Sequence, residues 1–314
     1  MFRPFRFGLI AENVLTRRDL MGAAQAAEAG GFSTLLIRDH FLPQPFGQQL
    51  GPLASLSYVA ALTTTLRVGS MVMANDYRNP VLLAKEAATI DVLSEGRFEL
   101  GLGTGFLQAE YEAAGIPFEP AGVRVTRFGE ALQVYKALLS GAPVTYSGEH
   151  YHLNGAQMFP QPVQRPRPPI LVGAGGKRML GIAAREADSI GLLSAAISDG
   201  ILVEDPTTRL ASEVEKRLGW IRDAAGPRLP EIELSMFMTL LLHHDHVAGA
   251  EELIRQRGWR GVTPEQVLEM PSVFIGSPAR VVELMHERRR RYGITYYVLG
   301  PSSQADAAQV IRRL

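Results

Sequence analysis

The apolar run from Ser33 to Ile37 leads straight into Arg38-Asp39-His40. A histidine at the end of a buried strand could hydrogen-bond a bound ring or move a proton near neutral pH. A packing histidine beside a capping aspartate would use the same residue types. A second candidate is Gly173-Ala174-Gly175-Gly176-Lys177-Arg178, which joins the strand Pro169 to Val172 to a helix. Glycines there expose backbone N–H groups, and the helix N-terminus adds partial positive charge. Lys177 and Arg178 add whole charges, so the turn suits a phosphate; a plain tight turn is the alternative. It is not a P-loop, because Arg178 rather than Ser or Thr follows Lys177.

A third candidate is Leu100-Gly101-Leu102-Gly103-Thr104-Gly105, which closes an alternating strand that begins at Phe98. Glycines spaced by two at a strand's carboxyl end leave the backbone open to a ligand. They are not a dinucleotide fingerprint, since Phe106 stands where the third glycine is needed. His243-His244-Asp245-His246 reads as a polar edge: adjacent histidines point apart, no spaced ligands complete a set, and no metal site is expected. With no Gly-x-Ser-x-Gly elbow and no cysteine, triad hydrolysis and thiol chemistry have no support.

The elements that must position these groups alternate regularly. Strands are expected over 5–10, 33–37, 66–73, 98–102, 170–172, 189–193, 232–242 and 295–299. Helices fall between them at 18–29, 53–61, 80–93, 125–139, 177–186, 208–224 and 278–292. Pro80 takes the favoured first position of its helix. Strand–helix repetition implies a parallel sheet, and about eight strands favour a closed barrel with its functional groups at the strands' carboxyl ends. Residues 141–169 are broken by glycine and proline into an excursion with a small hairpin, and 243–272 look like an insertion with one or two helices. No linker composition divides the chain, so 1–314 reads as one domain. Apolar Trp259, Val262, Val267, Leu268 and Met270 suggest that the second insertion covers the substrate pocket as a lid. Glu283 to Arg291 reads as the solvated face of the last long helix.

The 314 residues are 46% hydrophobic with a formal net charge of +0, which argues against a nucleic-acid or anionic-membrane partner. The absence of cysteine fits a reducing cytoplasm. The start of the chain lacks a signal-peptide core, and no apolar run nears the roughly 20 residues of a membrane span. A cytoplasmic protein acting on small molecules is expected.

In order along the chain stand Ala26-Ala27-Glu28-Ala29-Gly30-Gly31-Phe32, Asp39-His40-Phe41, Asn79-Pro80, Leu82-Leu83-Ala84-Lys85 and Thr89-Ile90-Asp91-Val92-Leu93-Ser94-Glu95-Gly96-Arg97. Leu100-Gly101-Leu102-Gly103-Thr104-Gly105 and Pro160-Gln161-Pro162-Val163-Gln164 follow. In this order and spacing the chain resembles the bacterial-luciferase-like oxidoreductases, in particular the branch that uses the deazaflavin coenzyme F420. The resemblance implies an α/β fold, a (β/α)8 TIM barrel with loop insertions, and hydride transfer between F420 and a small organic substrate. A reduced-FMN monooxygenase is the alternative, and a non-catalytic flavin-binding barrel a lesser one. It implies that His40 is catalytic and contacts the ring, with Asp39 orienting it. A non-proline cis peptide maps to Ser70-Met71, behind the ring. Thr104 and Gly105 complete the ring site, and Ala174, Gly175, Gly176 and Lys177 would hold the phosphate. A homodimer through the outer helices is also implied. One departure stands out: sugar-phosphate dehydrogenases of this branch carry a glutamate acid directly after Gly-Thr-Gly, where this chain has Phe106. Glu110, one helical turn on, could take the place of that acid, but its position favours a solvated first-turn glutamate.

Overall fold

The computed structural model describes residues 3–194, 196–198, 200–203 and 205–314. Eight parallel strands close into a barrel: β1 (Arg6–Ile10), β2 (Thr34–Ile37), β3 (Arg67–Ser70, resuming at Met73–Ala74), β4 (Phe98–Gly103), β5 (Ile170–Ala174), β6 (Ser189–Leu192), β7 (Glu233–Phe237) and β8 (Ile294–Leu299). Closure comes from β8 against β1, with Phe7 opposite Tyr297 and Gly8 opposite Val298. The architecture is a (β/α)8 barrel.

Strand alternation separates two cores. Leu35, Ile37, Leu100, Leu102, Tyr297 and Leu299 face the helices, in the large apolar layer around the barrel. Leu36, Met71, Leu171, Tyr296 and Val298 face inward in a smaller cluster. The floor is ionic: Arg6 pairs with Glu233 at 2.8 Å and with Glu99, which also pairs with Arg67. Burial pushes the Glu233 carboxyl above its ordinary value, opposed by the charge of Arg6.

The helices used below are α1 (Arg17–Ala29), α2 (Pro52–Leu62), α3 (Pro80–Leu93), α4 (Gln108–Ala114), α5 (Ala121–Leu139), α6 (Lys177–Glu186), α7 (Ala211–Ala225), α8 (His246–Arg257), α9 (Pro264–Glu269) and α10 (Pro278–Tyr292). Their starts follow local rules. Thr16 and Asp19 form a capping box on α1, Asn79 accepts from Val81 N at 2.9 Å before Pro80, and Ser277 caps α10. Helix α6 differs: Gly176 precedes it and no side chain caps it.

The expected strand over 66–73 is broken. The non-proline cis bond lies at Met71–Val72, one residue after the expected position. The glycines of β4 answer to this bulge and are not a free surface for a ligand. A Cβ on Gly101 would lie 1.9 Å from Ser70 O, and one on Gly103 would lie 2.7 Å from Val72 Cγ2. Glycine stands at 101 because the Ser70 backbone occupies the Cβ position, and at 103 because the Val72 side chain does.

The first insertion carries the expected hairpin, Val144–Ser147 against His152–Ala156. The second is not built as a lid. Thr239–Leu242 and Val273–Gly276 form their own two-stranded parallel sheet, with α8 and α9 between them. Trp259, Val267 and Met270 are buried with Ala250, Leu253, Val273 and Ile275, while Val262 and Leu268 pack against them. This local core accounts for all five apolar residues. Arg288 corrects the picture of a wholly solvated α10. Its guanidinium is 4% exposed, donates to Leu268 O at 2.9 Å and to Val273 O, and covers the Phe274 ring at 4.2 Å.

Candidate active site

The carboxyl ends of the strands converge on one mouth. Strand β1 brings Glu12 to it, β2 brings Arg38, Asp39 and His40, and β3 brings Met71 and Val72. Thr104, Gly105 and Phe106 follow β4, Gly175 to Lys177 follow β5, and Phe237 ends β7.

His40 has a defined orientation. Its Nδ1 lies 3.0 Å from Glu110 Oε2, and only 14% of its side chain is exposed. Glu110 itself is fully buried and accepts from Phe41 N at 2.7 Å, Leu42 N at 3.1 Å and Tyr77 Oη at 2.9 Å. It is therefore not the solvated glutamate that its position in the first turn of α4 suggests. Burial pushes this carboxyl up, but the hydrogen bonds from His40 and from Leu42 and Phe41 N–H outweigh it, leaving the group below the ordinary carboxylate range. An ionised carboxylate only accepts, so Nδ1 carries the proton and Nε2 is the free nitrogen. Burial and the bond to Glu110 raise the Tyr77 hydroxyl above its ordinary value, which keeps it a donor.

Asp39 does not orient His40. Its carboxylate is 5% exposed and takes a bidentate pair from Arg78, Oδ1 at 2.8 Å, together with Ala74 N on Oδ2 at 2.9 Å. It fixes the strand segment beyond the bulge. Ser70 is likewise engaged, donating to Gly101 O at 2.9 Å and accepting from Gly101 N at 3.0 Å. Met71 is 8% exposed within the inner cluster. Thr104 and Gly105 are half-buried and pinned from outside: Tyr111 Oη donates to Thr104 O at 3.0 Å, and Arg124 Nη1 to Gly105 O at 2.5 Å. Gly105 has φ +75°, and a Cβ there would meet Tyr111 Oη at 2.2 Å.

At the phosphate candidate, Ala174 is buried, Gly175 half-buried, and Gly176 and Lys177 exposed. The first N–H groups of α6 have no capping side chain, and Lys177 stands at the first helical position. Uncapped N–H groups, glycines without Cβ atoms and one cation are a donor set that a phosphate group takes.

Several site residues carry no motif in the sequence. The Phe46 ring stacks on His40 with centroids 4.5 Å apart, and Phe106 meets His40 edge-on at 6.0 Å. The Arg38 guanidinium lies over Phe46 at 4.5 Å and Phe237 at 5.2 Å and pairs with Glu12 at 2.8 Å. For Glu12 and Arg38 the strand-end rule supplies a signal; for Phe46, inside a loop, none exists. His243 and His244 stack on each other and Asp245 caps α8, so that cluster is a polar edge. Among the described residues no group of three or more potential ligands could hold a metal ion.

Residues 1–201 match the luciferase-like monooxygenase family. Among curated proteins, the chain is 36% identical over 168 residues to the F420-dependent glucose-6-phosphate dehydrogenase of Kineococcus radiotolerans, covering 52% of this chain and 49% of that one. The enzyme of the same name from Segniliparus rotundus is 31% identical over 241 residues, covering 75% and 70%. The chain thus spans about half the length of some curated relatives and more of others. Among solved structures, the coenzyme F420-dependent tetrahydromethanopterin reductase of Methanopyrus kandleri superposes with a TM-score of 0.74 at 21% identity, covering 98% and 97% of the two chains. That likeness is one of fold.

Proposed function

Since the chain belongs to the luciferase-like monooxygenase family, we propose that it is an oxidoreductase moving hydride between coenzyme F420 and a small organic substrate. The observation that carries this reading is the His40–Glu110 pair at the barrel mouth. F420, when bound, supplies a ring that accepts or gives the hydride. Met71 and Val72 would back that ring, Thr104 and Gly105 border it, and the α6 N-terminus with Lys177 hold the phosphate. Asp39 acts on the cofactor site only by fixing Ala74 and Arg78, and Ser70 by tying β3 to β4. His40 Nε2 would accept the proton released as the substrate is oxidised and would return it in the reverse direction. Glu110 keeps Nδ1 protonated and would steady the imidazolium formed. The curated relatives that share F420 in their names support this cofactor over FMN. The family's description keeps a reduced-FMN monooxygenase as the second reading.

The chain reads as one domain, 1–314, with insertions about 141–169 and 243–272. Among the described residues no helix is long and apolar enough to cross a membrane, and a cytoplasmic place is the proposal that goes with this chemistry. A homodimer through the outer helices is supported by α3, which leaves Leu82 67% and Leu93 61% exposed beside Phe159 at 61%. Calorimetry of the purified protein against F420 and FMN tests the cofactor. Sub-micromolar F420 binding with weak FMN binding is expected; the reverse order would replace the first reading by the second.

A further inference from the structure

The cations nearest the mouth are already paired. Arg38 is held by Glu12 at 2.8 Å and lies flat between Phe46 and Phe237. Arg78 is held by Asp39. Arg124 donates to Glu119 O at 2.9 Å and to Gly105 O, and covers Phe118 at 4.3 Å. Arg127 is held by Asp76 at 2.8 Å and by Glu119. Lys177 belongs to the phosphate candidate of the cofactor. A substrate phosphate dianion desolvated at the mouth would need a cation drawn from one of these contacts, and drawing Arg38, Arg78 or Arg127 would leave a carboxylate such as Asp39 unbalanced.

The buried carboxylate is equally committed. Glu110 accepts four hydrogen bonds, so it is not free to bind the hydroxyls of a sugar, and Glu12 is held by Arg38 through Oε1. What the mouth does offer is aromatic surface. His40, Phe46 and Phe106 meet one another at centroid distances of 4.5, 6.0 and 6.4 Å, one stacked and two edge-on. All three are half-buried, and the part of this aromatic surface left at the mouth is one on which a flat apolar ring can pack.

We infer that the mouth selects an uncharged, flat apolar substrate over a sugar phosphate, and that Phe46 and Phe106 set this preference. The inference rests on the reading of the mouth as the substrate site. Phe106 occupies the chain position directly after Gly-Thr-Gly, at the carboxyl end of β4, and presents a ring there. Phe46 meets it edge-on and at the same time covers Arg38.

Saturation-transfer NMR on the full chain, with and without F420, tests this using benzyl alcohol and glucose 6-phosphate as probes. Benzyl alcohol is expected to bind at least about tenfold more tightly than glucose 6-phosphate. Phe46→Leu and Phe106→Leu keep apolar volume and remove a ring; each should weaken benzyl alcohol by about three- to tenfold and leave F420 affinity unchanged. Glucose 6-phosphate binding as tightly as benzyl alcohol would overturn the inference. So would unaltered benzyl alcohol binding in both variants. The cofactor-free spectra read the mouth alone, so a failure of F420 to bind would remove the proposed cofactor and leave this result standing.

Discussion

His40 and Glu110 stand 70 residues apart in the chain and are joined by a 3.0 Å hydrogen bond from Nδ1 to a fully buried carboxylate. The bond fixes both the ring plane and the tautomer of the one histidine at the mouth of the barrel among the residues placed there. It also gives α4 a reason to pack against the loop that follows β2.

Glu110→Gln should therefore act on turnover through His40. An amide cannot accept at both positions of the carboxylate, so the Nδ1 proton is no longer enforced. We expect kcat to fall by about 10²-fold or more, with F420 affinity nearly unchanged, measured by cofactor titration beside steady-state kinetics. His40→Ala should fold normally and show the same split. Full activity of His40→Ala would remove the proton-transfer role.

Lys177 offers a separate test of the phosphate candidate. Removing one cation from a largely solvated phosphate should weaken cofactor binding by about 1–2 kcal/mol. Lys177→Ala, titrated with F420, should show that loss and retain its melting temperature, since Lys177 is exposed. Binding equal to the parent would place the phosphate elsewhere.

Gly101→Ala and Gly103→Ala should differ in kind. At Gly101 the added Cβ meets backbone, Ser70 O at 1.9 Å; at Gly103 it meets a side chain, Val72 Cγ2 at 2.7 Å. Overpacking by one methyl costs about 1–3 kcal/mol where a side chain can give. Gly103→Ala should fall in that range by chemical denaturation and be partly rescued by Val72→Ala. Gly101→Ala should lose more and not be rescued. Equal losses would show that the bulge does not dictate these glycines.

Glu28 sets an acid limit on stability. Its carboxylate accepts from Thr65 N at 2.8 Å, Thr65 Oγ1 at 2.8 Å, and Thr64 and Leu66 N, bracing the turn before β3. Those bonds, from Thr65 foremost, lower its pKa from 4.5 to about 2. A depressed carboxylate stabilises the fold fully above its ordinary pKa and loses that contribution as pH falls through the folded value. Glu28→Gln should melt below the parent at pH 7, and the gap should close between about pH 4.5 and 2. A gap independent of pH would assign the effect to shape instead of charge.

Arg288 should anchor the 239–276 unit. Arg288→Met removes donors from Leu268 O and Val273 O, and each buried carbonyl left without a partner costs about 1–3 kcal/mol. Limited proteolysis should then cut residues 258–263 faster while F420 affinity stays the same. An unchanged cleavage rate would mean that the local core of Trp259 and Met270 holds the unit alone.

Much of this protein is set by short-range sequence pattern. The alternation of Leu35-Leu36-Ile37 across two faces, Pro80 after Asn79, and the periodic apolar face of α6 are local consequences of backbone period and capping. They are enough to dictate eight strands and their order. Eight such strand–helix units favour closure into a barrel, and closure places His40 and Lys177 at the same end. What the chain order could not show is which groups meet across that end. Glu110 has the local signature of a solvated helix start, yet the His40 loop folds over it and burial turns it into an anchor. Asp39, next to His40 in sequence, points instead to Arg78 and Ala74, since neighbouring side chains on an extended segment diverge. The β4 glycines have the pattern of an open ligand surface, but Ser70 and Val72, at the break in the neighbouring strand, fill it. Trp259 and Met270 carry the composition of a lid, and only the pairing of Thr239–Leu242 with Val273–Gly276 gives them a core of their own. In each case the deciding term is a contact between residues distant in the chain, and local pattern holds no record of it.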